Sequence, residues 1–64
     1  LKLSVGETYI STDFNNSEWI FVVISKDDHV STVMLLKDLI SLKAGSLFKL
    51  GHSWELSRTA KKLG

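Results

Sequence analysis

Cysteine and proline are both absent from these 64 residues. Without cysteine there is no disulfide framework, no thiolate zinc site and no thiol nucleophile, a composition suited to a reducing compartment. Without proline the turns must rest on Gly, Asn, Asp and Ser, and glycine occurs only four times. Long hydrophobic runs are missing too. The longest, Trp19-Ile20-Phe21-Val22-Val23-Ile24, falls far short of the roughly 20 residues that a membrane-spanning helix needs. Leu1-Lys2-Leu3-Ser4 does not build the apolar segment of a signal peptide. The chain begins with Leu rather than Met, which leaves room for residues upstream. Charge of either sign is not in excess: eight Lys and Arg against seven Asp and Glu leave +1. That balance excludes an acidic nucleic-acid mimic and a densely basic histone-like binder.

What is present is a 44% apolar chain, enough for one core and against a disordered tail. Residues 1–64 are read as a single small domain, of a size at which folding removes only about 60% of the chain's surface from water. Turn residues cluster where they are needed: Gly6 before Tyr9-Ile10, Asp13-Phe14-Asn15-Asn16-Ser17 before Trp19, and Asp27-Asp28 before the stretch 30–36. Short apolar segments cut by such residues predict small antiparallel β structure. Residues 19–24, rich in β-branched and aromatic side chains, predict a strand. Its two faces, Trp19, Phe21 and Val23 against Ile20, Val22 and Ile24, are both apolar, so burial on both sides is expected. Residues 30–36 return as its partner across a turn at 26–29. Val22 and Ile24 are expected in the core, and Ser11 in a surface turn.

The C-terminal half has two readings. Residues 33–44 fit a strand running into an apolar loop, or a helix with Leu35, Leu36, Leu39, Ile40 and Leu42 on its apolar stripe and Gly45 after it. Residues 46–51 read as a short strand between glycines. Residues 53–63 fit a helix, with Ser53 as N-cap, Leu56, Ala60 and Leu63 on one face and Arg58, Lys61 and Lys62 on the other. They also alternate acceptably as a strand.

Taken in order, Val5-Gly6-x-x-Tyr9, a polar loop, Trp19 at the head of an apolar strand, the turn at Asp27-Asp28, Gly45-Ser-Leu-Phe and Trp54-Glu-Leu-Ser resemble small SH3-like β-barrels of the bacterial and bacteriophage type. The resemblance implies a mainly β fold. It would be a small antiparallel SH3-like barrel of about five strands with a single-turn helix before the last, and α+β is the alternative class. Residues 36–44 are longer and more apolar than the usual link. Such barrels bind nucleic acid, peptides or other proteins and seldom catalyse, so the resemblance also implies a non-catalytic module. A cytoplasmic location is expected, or an intravirion one if the protein is phage-encoded.

Catalytic chemistry finds little support in the residues. Asp27-Asp28-His29 could be read as metal ligands, but three consecutive turn residues rarely converge on one ion, and a solvated turn is preferred. His52 beside Ser53, with Asp38 or Glu55 as a third member, lacks a nucleophile elbow. Residues 45–53 superficially resemble a phosphate-binding loop, but have five residues between the glycines and His where Lys is needed. Asn15-Asn16-Ser17 is a formal glycosylation acceptor and is read as a turn. No enzyme, cofactor, metal or membrane partner is therefore expected.

Two binding readings remain. Residues 1–32 carry Lys2 and Lys26 against Glu7, Asp13, Glu18, Asp27 and Asp28, a net −3; residues 33–64 carry six cations against Asp38 and Glu55, a net +4. A basic C-terminal half predicts contact with a nucleic-acid backbone through Lys49, Arg58, Lys61 and Lys62. The apolar stretch 36–42 predicts instead a protein-interaction module, a phage accessory or structural protein, docking through Leu36, Leu39, Ile40, Leu42 and Trp54, with a homo-oligomer as a further option.

Overall fold

The computed structural model describes residues 3–63. Five antiparallel strands form one sheet: β1 (Thr8–Thr12), β2 (Glu18–Lys26), β3 (Val30–Leu35), β4 (Leu47–Gly51) and β5 (Lys61–Lys62), with the single-turn helix α1 (Glu55–Arg58) between the last two. Their order across the sheet is β4-β3-β2-β1-β5. The fold is thus mainly β, and the ladder is open: β4 and β5 are its two edges, not neighbours. The expectation of a closed barrel is corrected to that extent. α1 packs against both β1 and β4.

The β2–β3 hairpin is the one expected, in the register Phe21↔Leu35, Val22↔Met34 and Val23↔Val33. Its turn is fixed by Asp27, whose Oδ1 accepts the backbone N–H groups of His29 and Val30, both at 2.8 Å. A β-bulge between Val23 and Ser25 adds one residue to β2. Such a residue leaves the pleat, bends the strand and re-aims its neighbours. Ile24 lies on the outer face with Ile20 and Val22 by simple alternation, 47% exposed. After the extra residue Ser25 is exposed as well, instead of continuing the buried row of Trp19, Phe21 and Val23. Beyond the bulge Lys26 faces Ser31 and donates from Nζ to the Leu3 carbonyl at 2.7 Å.

The inner face carries Tyr9, Trp19, Phe21, Val23, Val33, Leu35 and Leu50, closed at the ends by Leu3, Leu56 and Ala60. Trp19 meets Phe48 at a centroid distance of 5.2 Å, and Tyr9 meets Phe21 at 6.0 Å. Burial on both sides of residues 19–24 does not hold: Ile20 and Val22 are only half-buried, because no second layer covers the outer face. Ser11 is not in a surface turn. It lies on the inner face of β1, buried, and bonds to the Thr59 hydroxyl at 2.6 Å.

Neither long helix forms. β3 ends at Leu35, and residues 36–46 make a loop in which local groups take the hydrogen bonds a helix would use. Leu39 N–H donates to the Leu42 carbonyl, Ala44 N–H to Asp38 Oδ1 and Gly45 N–H to the Leu35 carbonyl, each at 2.7 Å. Gly45 has φ +92°, a left-handed backbone that glycine enters without strain. At 53–63 the helix is a single turn, and Trp54 rather than Ser53 occupies the N-cap. Leu56 and Ala60 are buried as the helical stripe required. Lys61 and Lys62 instead leave the helix and pair with Ile10 and Tyr9 as β5.

A candidate protein-interaction site at the loop end

Two connections meet at one end of the sheet, the β1–β2 turn and the 36–46 loop. Asp13 organises the first. Its Oδ1 accepts from the backbone N–H groups of Asn15 and Ser17, both at 2.9 Å, and its Oδ2 accepts from the Trp19 indole at 3.0 Å. The indole N–H and then the Ser17 N–H hold this carboxyl below the usual carboxylate range. Asn16, at φ 63°, completes the reversal, as Asn tolerates left-handed backbone. This turn raises Phe14 into solvent, 88% exposed.

The second connection is pinned at both ends. Lys37 Nζ bridges to Glu18 Oε1 at 3.3 Å, tying the loop to β2, and the Asp38 carboxylate is taken by Ala44 N–H. Leu39 and Leu42 fold under, packed against the core. That inward turn leaves Ile40 fully exposed at the tip. Between the two connections lies an open cleft of about 470 Å³, lined by Asn16, Ser17 and Glu18 on one side and Lys37, Asp38, Leu39 and Ile40 on the other. Its walls combine the Lys37–Glu18 ion pair and the Asn16 amide with two aliphatic side chains, Leu39 and Ile40.

The expected apolar set is thus divided. Ile40 stands free and Leu36, four residues earlier, is also exposed, while Leu39 and Leu42 pack against the core. Trp54 is elsewhere. Its indole lies over Gly51, so close that a β-carbon there would come within 2.8 Å of Nε1, and 51% of the residue remains exposed. Phe14 was missed because it sits inside a polar turn; an aromatic with no apolar neighbours in a turn is the signal that could have singled it out.

Of the four cations expected on nucleic acid, two have acidic partners. Arg58 pairs with Glu55 at 3.7 Å and Lys62 with Glu7 at 3.4 Å. Lys49 and Lys61 lie on β4 and β5, the two opposite edges of the sheet. Lys61 borders a hollow of about 350 Å³ with Ile10, Ser11, Thr12 and Thr59. Thr59 gives its hydroxyl proton to the Glu55 carbonyl at 2.8 Å, so Ser11 must be the donor to Thr59. Both hydroxyl protons are thus engaged within the chain, Ser11's by Thr59 and Thr59's by the Glu55 carbonyl.

The candidate triad residues are also engaged elsewhere. His52 Nε2 meets Ser31 Oγ at 2.9 Å, not Ser53, and Ser31 is fully buried, out of reach of a substrate. Asp27 is held low in pKa by the N–H groups of His29 and then Val30, both of which donate to its Oδ1 within the turn. Among the described residues no three His, Cys, Asp or Glu side chains converge as metal ligands, and no helix is long and apolar enough to cross a membrane. Comparison with family models, with curated proteins and with solved structures found no match to the chain.

Proposed function

We propose that this protein is a non-catalytic protein-interaction module of the SH3-like kind, docking a peptide segment of a partner protein in the cleft at its loop end. The strand order, with a meander β1 to β4 and a single-turn helix before β5, supports SH3-like kinship. The carrying observation is the exposure of two large apolar side chains, Ile40 in the cleft wall and Phe14 two residues before Asn16 of the opposite wall, both almost wholly in water. Large apolar groups left exposed on the connections that border a cleft favour a partner that covers them. The Lys37–Glu18 bridge gives that partner a fixed pair of opposite charges to read.

Selection from a random-peptide display library against the immobilised chain tests this. Convergent peptides are expected, carrying apolar residues, and Phe14→Asp or Ile40→Asp should abolish their binding. Both sites are exposed, so neither change threatens the fold. Peptides that do not converge, or that bind both variants as well as the parent, would overturn the reading. A nucleic-acid backbone remains the second proposal, because Lys49 and Lys61 have no anionic partner among the described residues. It requires binding to duplex DNA or RNA whose log affinity falls against log salt with a slope near −2, about one phosphate for each of the two lysines. Lys49→Glu with Lys61→Glu should then remove it.

A further inference from the structure

The edge strand β4 has unused hydrogen-bonding capacity in a self-complementary arrangement. β3 and β4 pair as Val30↔Gly51, Ser31↔Leu50, Thr32↔Lys49, Val33↔Phe48 and Met34↔Leu47. The flanking bonds, Leu35 N–H to the Ser46 carbonyl and His52 N–H to the His29 carbonyl, fix which of these pairs are hydrogen-bonded. In an antiparallel ladder such pairs alternate with unbonded ones. Phe48 and Leu50 therefore direct their N–H and C=O groups at β3, and Leu47, Lys49 and Gly51 direct theirs away from it. The Gly51 carbonyl is already taken by Ser57 Oγ at 2.8 Å and Trp54 N–H at 3.0 Å. Among the described residues the outward donors and acceptors of Leu47 and Lys49 have no such partner.

Natural sheets protect an edge with proline, bulges or several charges. β4 has no proline and one charge, Lys49, and its Leu47 is 66% exposed. We propose that two copies of the chain associate through this edge, β4 antiparallel to β4, with Phe48 on the two-fold axis and Leu47 of each copy opposite Lys49 of the other. A two-fold axis on residue 48 uses all four free groups of each strand, so the strand is its own complement. Leu47 then lies against the aliphatic stem of the opposing Lys49, whose ammonium stays in water. The next register in step, centred on Lys49, fails on two counts. It sets the two lysines face to face, which is destabilising, and it needs the Gly51 carbonyl that Ser57 and Trp54 occupy. On the inner face the pairing brings together the two Phe48 rings at the close, unbonded position of the ladder. Phe48 is only half-buried in one chain, and its twin covers the remainder.

Sedimentation equilibrium of the 64-residue chain, at concentrations up to about 1 mM, the weak end of measurable association, tests the proposal. The mass is expected to climb from 7.2 kDa toward twice that value. Lys49→Pro deletes an outward N–H without touching the β3 ladder, as proline is tolerated on an edge. Leu47→Lys sets like charges opposite each other at an exposed position that the fold does not need. Each should raise the dimer dissociation constant by about tenfold or more, a change of at least 1.4 kcal/mol. Lys61→Ala, on the opposite edge, should not. A single 7.2 kDa species throughout, or a dimer indifferent to both β4 changes, would overturn the proposal; the second would point to another face.

Discussion

Asp13, Ser11 and Ile24 show how far single residues can be read. Asp13 sits in a cluster of turn formers, and its place was legible; its bond to the Trp19 indole was not, because that bond depends on how far the strand returns. The carboxyl is depressed in the folded state, so its contribution is full above the unfolded carboxylate value near 3.9 and is lost as pH falls through the lower folded value. Asp13→Ala should lower Tm at neutral pH, and the gap to the parent should narrow below about pH 4, as thermal melts across the acid range would show. A gap constant with pH would mean that the charge is not what matters. Ser11 and Ile24 exchange the roles that pattern alone assigned to them. Ile24 belongs to an apolar run, but alternation puts it on the outer face, which nothing covers; Ser11 looks like turn chemistry, but pairing with Trp19 turns it inward. Ser11→Ala should therefore cost about 1 kcal/mol, the worth of a typical hydrogen bond. Ile24→Ala should cost less than that, and Leu35→Ala about 2–5 kcal/mol. Urea midpoints give the order directly, and Ile24→Ala falling beside Leu35→Ala would contradict the outward placement of Ile24.

At the level of elements, the hairpin was legible because two signals coincide in it. β-branched and aromatic residues dominate 19–24, and an aspartate pair marks its turn. The remaining elements were less so, for a physical reason. Residues 33–44 have a helical apolar period, but their stability as a helix would need an unoccupied apolar surface to cover. In the fold Leu39 and Leu42 reach the core from a loop, and Asp38 and Gly45 fix that loop locally. Tertiary packing overrides period here. The two lysines of β5 looked like the last turn of a helix because two residues of strand leave almost no pattern. Amide exchange should follow this ranking. Phe21, Val23, Val33 and Leu35, at the centre of the sheet, should exchange only with global unfolding, and residues 36–46 and β5 by local opening. Protection in β5 equal to that in β2 would mean that the edges are tied together more firmly than the open ladder implies.

For the whole molecule, the sequence indicated fold class well and the site only in part. Ile40 was legible as an exposed apolar residue of a long link, whereas the cleft that it shares with the β1–β2 turn follows from two connections meeting at one end of the sheet. The charge asymmetry between the halves, −3 against +4, was legible in the chain, whereas the partners were not: Arg58 and Lys62 meet acids, and Lys49 and Lys61 lie on the two edge strands. The loop-end cleft is thus the central claim. Its most direct test is an amide chemical-shift map of the labelled chain, titrated with a display-selected peptide and, separately, with a short DNA duplex at low salt. The account predicts peptide-induced shifts confined to residues 14–18 and 37–42, and no concerted shift with the duplex. Peptide shifts centred elsewhere, or duplex shifts gathered at Lys49 and Lys61, would contradict it.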